Sequence, residues 1–179
     1  MELSVGQKVA YPGQGVCEVE RIELRTVGGC TTECLLLRVI GDSSHILVPV
    51  ANTGAVGIRE VISTGQCRRL INRLADDFEE ISADWKTRSK QFTEKLQSGD
   101  VFEAADVLKK LTFLSHGKKL SFREQTLLEK AKHLLISEIA NAYADKSDGI
   151  ENRICELVES ACTKHEQTHP PMVATAAAH

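Results

Sequence analysis

The hydrophobic period of this chain changes once, at Ser63, and that change constrains the fold more than any other feature. Before it, apolar residues alternate with polar ones in short runs separated by glycine turns; after it they recur three and four residues apart. Residues 7–62 therefore read as strands. Lys8-Val-Ala-Tyr-Pro12 leads into a turn at Gly13-Gln-Gly15, and a long run follows from Val16 to Arg25. Inside that run the apolar set shifts phase, from Cys17 and Val19 to Ile22 and Leu24. A β-bulge does this when it bends a strand. Gly28-Gly29 makes a hairpin turn, Glu33–Ile40 alternates again, and Gly41-Asp-Ser-Ser44 turns into His45–Val50. Turns at such short intervals predict a small curled antiparallel sheet or barrel.

From Ser63 the pattern predicts helices. Ser63 with Gln66 is a capping-box pair in front of the apolar stripe Cys67, Leu70, Ile71 and Leu74. Asp76–Glu80 reads as an acidic connection, and a helix over about 83–97 stops at Gly99. Asp100 with Glu103 opens another helix, ended by His116-Gly117. Ser121 with Glu124 caps a long one carrying Leu127, Ala131, Leu134 and Leu135. Asp148 with Glu151 begins the last, bearing Ile154, Leu157 and Val158. The fold class is thus α+β with two domains: a curled antiparallel β module over 1–62 and an all-α helical domain over 63–165. Residues 166–179, with Pro170-Pro171, read as a disordered tail.

Composition excludes several classes. The apolar runs are too short to span a bilayer and the N-terminus lacks a secretory apolar stretch, so a cytoplasmic protein without membrane contact is expected. Six irregularly spaced cysteines in a chain of this size read as free thiols. A formal net charge of −3 argues against nucleic-acid binding by bulk charge, so the distribution of charge matters more than its sum. Residues 86–132 hold eleven Lys/Arg against six Asp/Glu, a local net of +5 between acidic flanks. Such a block either solvates outer helix faces or makes one positive face.

The only tryptophan, Trp85, lies in that block. On a helix it shares a stripe with Phe92 and Leu96, as a core residue would; yet Arg88 and Ser89 interrupt the stripe, which puts Trp85 at the core margin. Lys86 and Lys90 share a face, Arg88 flanks the ring, and the helix N-terminus presents free N–H groups. An aromatic ringed by phosphate-binding groups is also the chemistry of a minor-groove wedge. The residues by themselves leave both readings open.

No phosphate-binding glycine loop, dinucleotide fingerprint or nucleophile–base motif is present. His45, in a strand, reads as a packing or surface residue, and Cys30 and Cys34 as incidental to their hairpin. Cys155, Cys162, His165 and His169 fall on one side of a continued helix, but zinc sites usually bring two short ligand pairs from separate elements. No metal, no cofactor and no enzymatic activity are expected.

In order along residues 3–145, several stretches resemble the bacterial CarD/CdnL transcription regulators. They are Val5–Val16, Val48-Pro-Val-Ala-Asn52 with Val56-Gly-Ile-Arg59, Trp85-Lys-Thr-Arg-Ser-Lys90, Leu96-Gln-Ser-Gly-Asp100, and Leu120-Ser-Phe-Arg-Glu124 through Leu134-Leu-Ile-Ser-Glu138. The resemblance implies a Tudor-like N-terminal module that docks on the RNA polymerase β subunit, largely by strand addition. It also implies a helical domain that sets its tryptophan at the upstream edge of the melted promoter. Carried over by position, Arg25, Thr26 and Leu47 face polymerase, and Trp85, Lys86, Arg88 and Lys90 face DNA. Leu47 stands where the family is often basic. Asp84, Thr87 and Ser89 stand where Asn, Arg and an aromatic are common, and Gln125 where lysine is frequent, so both contacts are thinner in charge.

The function expected is that of a monomeric, non-enzymatic transcription regulator that docks on polymerase and stabilises the promoter open complex through sequence-independent DNA contacts and a tryptophan wedge. The alternatives are a protein–protein adaptor whose helices only scaffold, and a metal-dependent enzyme built on the Cys/His set near residue 160.

Overall fold

The structure, a computed structural model, describes residues 2–144 and 148–170. Five antiparallel strands form one sheet in the order β4-β3-β2-β1-β5: β1 Lys8–Tyr11, β2 Gly15–Val27, β3 Cys30–Val39, β4 His45–Pro49 and β5 Arg59–Glu60. The phase shift in β2 is a bulge: the β2–β3 register slips between Val19 and Arg21. The slip keeps Cys17 and Val19 on the buried face with Leu35, Leu37, Val39 and Val48 while the strand bends beyond it. At the hairpin tip Val27 pairs with Cys30, and Gly28 and Gly29 take positive φ values of 60° and 82°. A two-residue turn that follows the strand twist requires such angles. After β4, a single 3-10 turn at Val50–Asn52 and a helical turn, α1 Thr53–Val56, lead into β5.

Five longer helices follow: α2 Thr64–Ala75, α3 Trp85–Gln97, α4 Val101–Gly117, α5 Phe122–Tyr143 and α6 Asp148–Thr168. Both capping boxes form, Ser63 with Gln66 and Ser121 with Glu124. Asp100 caps α4 as it opens it, accepting from Phe102 N–H, while Glu103 pairs with Lys95. The helices share one apolar core that includes Leu70, Leu74, Phe92, Leu108, Leu111, Leu135, Ile154 and Val158.

The last helix runs past the break expected at 165. His165 and Thr168 are both tied to Asp77 in the connection after α2, which holds residues 166–168 in helix. Of the tail expected over 166–179, residues 171–179 lie outside the described residues.

The C-terminus of α2 is capped from elsewhere. Lys109 of α4 is fully buried and donates to the carbonyls of Arg73 (2.7 Å) and Asp76 (3.2 Å). Lys164 of α6 donates to Ala75 O at 2.6 Å. Cations thus meet the carbonyls at this helix end, the sign that its dipole favours, and share the Arg73 carbonyl with the Asp76 N–H. Burial pushes the Lys109 ammonium below its usual range, against the pull of Asp106.

The sheet packs on α5 through polar contacts of long sequence separation. Val16 N–H donates to Ser137 Oγ at 2.8 Å, and His133 Nε2–H to the Gln14 carbonyl at 3.1 Å. Gly15, at φ 92°, takes a backbone conformation that strains any side chain, and a Cβ there would crowd Ser137 Oγ at 3.0 Å. The guanidinium of Arg59 donates to Gly99 O at 2.9 and 2.7 Å and forms a forked pair with the buried carboxylate of Glu138. Glu138 also accepts from Ile62 N–H at 3.1 Å, where the chain leaves the β module.

Candidate nucleic-acid interface

Helix α3 begins where Asp84 accepts from the Thr87 N–H at 3.0 Å and from its hydroxyl. These hydrogen bonds, the hydroxyl's first, hold the Asp84 carboxylate below its usual range. A charged cap stabilises the helix but occupies one of the N–H groups a phosphate would use and places a negative charge beside them.

Trp85 is 60% exposed, so it is not a core anchor. The buried face of α3 consists instead of Arg88, Ser89, Phe92 and Leu96. Lys86 and Lys90 are exposed; Lys90 pairs only loosely with Glu94 at 3.9 Å, and Lys86 has no ion pair among the described residues.

Arg88 differs from the expectation that it flanks Trp85 as a phosphate ligand. It is only 5% exposed, and its guanidinium donates to the Ser82 and Ala83 carbonyls and, at 3.0 Å, to Glu124 of α5. Buried beside the chain that enters α3, Arg88 holds the helix on which Trp85 stands. Glu124 sits at the centre of this knot. Burial pushes its carboxyl up, but the Ser121 N–H (2.9 Å), Arg88, the Ser121 hydroxyl and Lys118 together bring it down to about 2.

The pair sets the N-termini of α3 and α5 side by side. Phe122, at the first position of α5, is 85% exposed, close in sequence to Lys118, Lys119 and Arg123. A shallow cleft of about 290 Å³ between the two helix ends is lined by Trp85, Ser89, Phe92, Lys118 and Arg123, among others. The Ser89 hydroxyl is buried there with no hydrogen-bond partner among the described residues. Gln125 donates to the Leu120 carbonyl at 3.2 Å, so it tightens the turn into α5. Phe122 was missed by pattern reading. Its signal is an aromatic directly after a helix cap and off the apolar stripe of its helix.

The positive block is smaller in three dimensions than along the chain. Lys95 pairs with Glu103, Lys110 with Glu79 and Lys132 with Glu129, while Lys109 and Arg88 are buried. Near the two helix ends, Lys86, Lys119 and Arg123 have no ion pair among the described residues, and Lys90 and Lys118 stay exposed although they reach Glu94 at 3.9 Å and Glu124 at 3.7 Å. An exposed aromatic pair with a cation rim can stack on bases and hold backbone phosphates without reading sequence.

The other expected contact residues lie on the β module. Arg25 and Thr26 sit on the part of the β2–β3 hairpin that projects beyond β4, which pairs only with Cys34–Arg38 of β3. Arg25 donates to Glu23 at 2.6 Å, and the hydroxyls of Thr26 and Thr31 are 2.9 Å apart across the strands. Leu47 is exposed on β4, an edge strand, and Leu24 and Val27 are exposed on the hairpin. An unpaired edge beside exposed apolar side chains is suited to strand addition.

The two cysteines of the Cys/His set do not join its histidines. Cys162 is buried with its sulfur 3.9 Å from the Lys109 carbonyl, and burial pushes its thiol up to about 12. Cys155 is exposed, and His165 turns to Asp77.

Residues 3–62 match the family described as the CarD-like/TRCF RID domain, and residues 69–155 match the CarD C-terminal domain. A relative from Bacillus subtilis (strain 168), YdeB, named as a candidate transcription factor, is 24% identical over 135 residues, 75% of this chain and 88% of the relative. Among solved structures, the NMR structure of the 72-residue N-terminal domain of Myxococcus xanthus CarD is 36% identical; the match covers 33% of this chain and 79% of that one, with a TM-score of 0.30. The N-terminal domain of CdnL from the same organism is 40% identical, covering 35% and 89%, with a TM-score of 0.31.

Proposed function

This chain belongs to the CarD-like family of transcription factors, and from that premise we propose that it docks on the RNA polymerase β subunit and stabilises the promoter open complex. The β module binds polymerase through the projecting hairpin and the β4 edge, with Arg25, Thr26 and Leu47 in contact. Docking raises the local concentration of the helical domain, so weak, sequence-independent DNA contacts suffice. Trp85 then lies against the upstream edge of the melted DNA and opposes its re-closure, while Lys86 and Lys90 hold backbone phosphates. Arg88 acts by positioning, as the buried support of the helix that carries the tryptophan.

The observation that carries this reading is a large aromatic left 60% exposed on a helix end held by a buried ion pair. A protein that needed Trp85 only for stability would bury it. Neither nucleotide hydrolysis nor a cofactor is invoked, and the protein acts as a monomer in the cytoplasm, where its polymerase is. No helix among the described residues is long and apolar enough to cross a membrane.

The test is the lifetime of open complexes on a purified promoter with wild type and Trp85→Ala. Wild type prolongs the lifetime and the variant does not, although both bind polymerase. Equal lifetimes with both proteins bound would reject the wedge.

A further inference from the structure

Where α6 ends, three metal-ligating side chains from two elements converge. His165 and His169 are one turn apart, and their rings stack with centroids 4.5 Å apart. Asp77, from the connection after α2, reaches the same place: its Oδ1 accepts from His165 Nδ1–H at 2.7 Å. One donor atom from each of the three lies within 4.8 Å of the others. The sequence pattern had supplied the histidines without a partner from elsewhere in the chain, and Asp77, 88 residues before His165, is that partner.

We propose that Asp77, His165 and His169 form a site for one divalent transition-metal ion of the zinc class. Two imidazoles and a carboxylate make a donor set suited to zinc, cobalt, nickel or copper, and poorly suited to magnesium or calcium, which take oxygen ligands. Three protein ligands with the fourth position left to solvent is the pattern of an open zinc site.

Two of the ligands are already held in place. Asp77 accepts from Phe78 N–H at 2.7 Å and from Thr168 Oγ1–H at 2.6 Å, which fixes both carboxylate oxygens. His165 is buried and stacked on Phe78, with ring centroids 4.0 Å apart, and Phe113 closes the site edge-on. Outer contacts of this kind orient ligands and raise affinity. Tetrahedral zinc with bonds of about 2.0–2.1 Å sets its donors about 3.3 Å apart. The ion therefore replaces the proton between His165 Nδ1 and Asp77, that pair opens slightly, and His169 swings inward. His169 is exposed, so its ring can turn without disturbing the core. Bound metal then pins the end of α6 to the segment that leads toward α3.

The proposal stands apart from the polymerase reading and is tested without polymerase or DNA. Full-length protein is stripped with chelator and titrated with zinc chloride by calorimetry, with cobalt(II) absorption and thermal melting as further readouts. The expected result is one zinc ion per chain, a tetrahedral cobalt spectrum and a higher melting temperature with metal. His169→Ala leaves the metal-free melting temperature unchanged and weakens zinc binding at least about tenfold, since even loss of an outer-shell partner costs about 10–100-fold. His116→Ala, aimed at a second cluster of His116, Glu159 and Cys162, leaves zinc binding intact. Absence of stoichiometric binding, undiminished binding by His169→Ala, or loss of binding in His116→Ala would each overturn the assignment.

Discussion

Arg88 Nη2 donates to Glu124 Oε1 at 3.0 Å, joining the first turn of α3 to the first turn of α5. Both side chains are buried, so the pair orients two helix ends that carry exposed aromatics. Removing one partner strands the other charge in the interior, at a cost of about 3–5 kcal/mol. Arg88→Ala should lower unfolding free energy in urea by that amount. In DNA titrations at matched folded fraction its salt dependence should equal that of wild type, whereas Lys86→Ala should reduce the slope by about one. A reduced slope for Arg88→Ala would return it to the phosphate ligands.

Acid should dissolve the same knot. The Glu124 carboxyl titrates at about 2 when folded, against about 4.3 in an unfolded chain. A lowered folded value means stability that is fully present above the unfolded value and lost as pH falls toward the folded one. The contribution is about 3 kcal/mol. Glu124→Gln should be less stable than wild type at pH 7, with the gap closing between about pH 5 and pH 2. Urea midpoints across that range measure it, and a gap constant with pH would assign the loss to packing alone.

Phe122, 85% exposed, carries no packing load. Phe122→Ala should change stability by less than about 0.5 kcal/mol. On forked DNA with an unpaired strand it should weaken binding, since stacking on an aromatic is worth about 1–3 kcal/mol per base. Fluorescence anisotropy of wild type, Phe122→Ala and Trp85→Ala on forked and blunt duplexes separates the two rings.

Glu138 couples the sheet to the helices through Arg59 and the Ile62 N–H. Glu138→Ala leaves the buried Ile62 N–H without its acceptor and takes the carboxylate from the Arg59 guanidinium, which keeps the Gly99 carbonyl. It should cost about 1–3 kcal/mol, the cost of a buried N–H left unpaired, and split a single calorimetric unfolding transition into two, one for each module. A single cooperative transition at lower temperature would mean that the apolar contacts suffice to couple them.

Leu47 lies on the edge strand, exposed. Leu47→Asp should leave the melting temperature within a few degrees of wild type while abolishing recovery of the polymerase β subunit in a pull-down. Full recovery would move the docking surface away from this edge.

The features legible in the chain were those set by neighbours in sequence. The bulge near Val19, the Gly28-Gly29 turn and the Ser63 and Ser121 capping boxes all rest on residues a few positions apart, so period and turn chemistry suffice to locate them. The broken stripe at Arg88 and Ser89 likewise placed Trp85 at the margin of the core, where it lies exposed. The burial of Arg88 was not legible in the same way. A charged residue on an exposed-looking helix reads as solvated until a partner 36 residues away is known to pack against it.

Sequence alone therefore determined the two-module architecture, the longer strands and helices and the place of Trp85 at the core margin, because backbone propensity and hydrophobic period are local. Tertiary structure alone decided which cations remain available. It buried Lys109 against the end of α2 and paired Lys95 and Lys110 with acids on other elements. It also brought Asp77 to His165 and set Phe122 at a helix end beside that of Trp85. The reason is that a side chain's charge is local while its partner is not. Desolvation and pairing, which turn a lysine or arginine into a structural element or leave it free for phosphate, are settled only when distant segments pack.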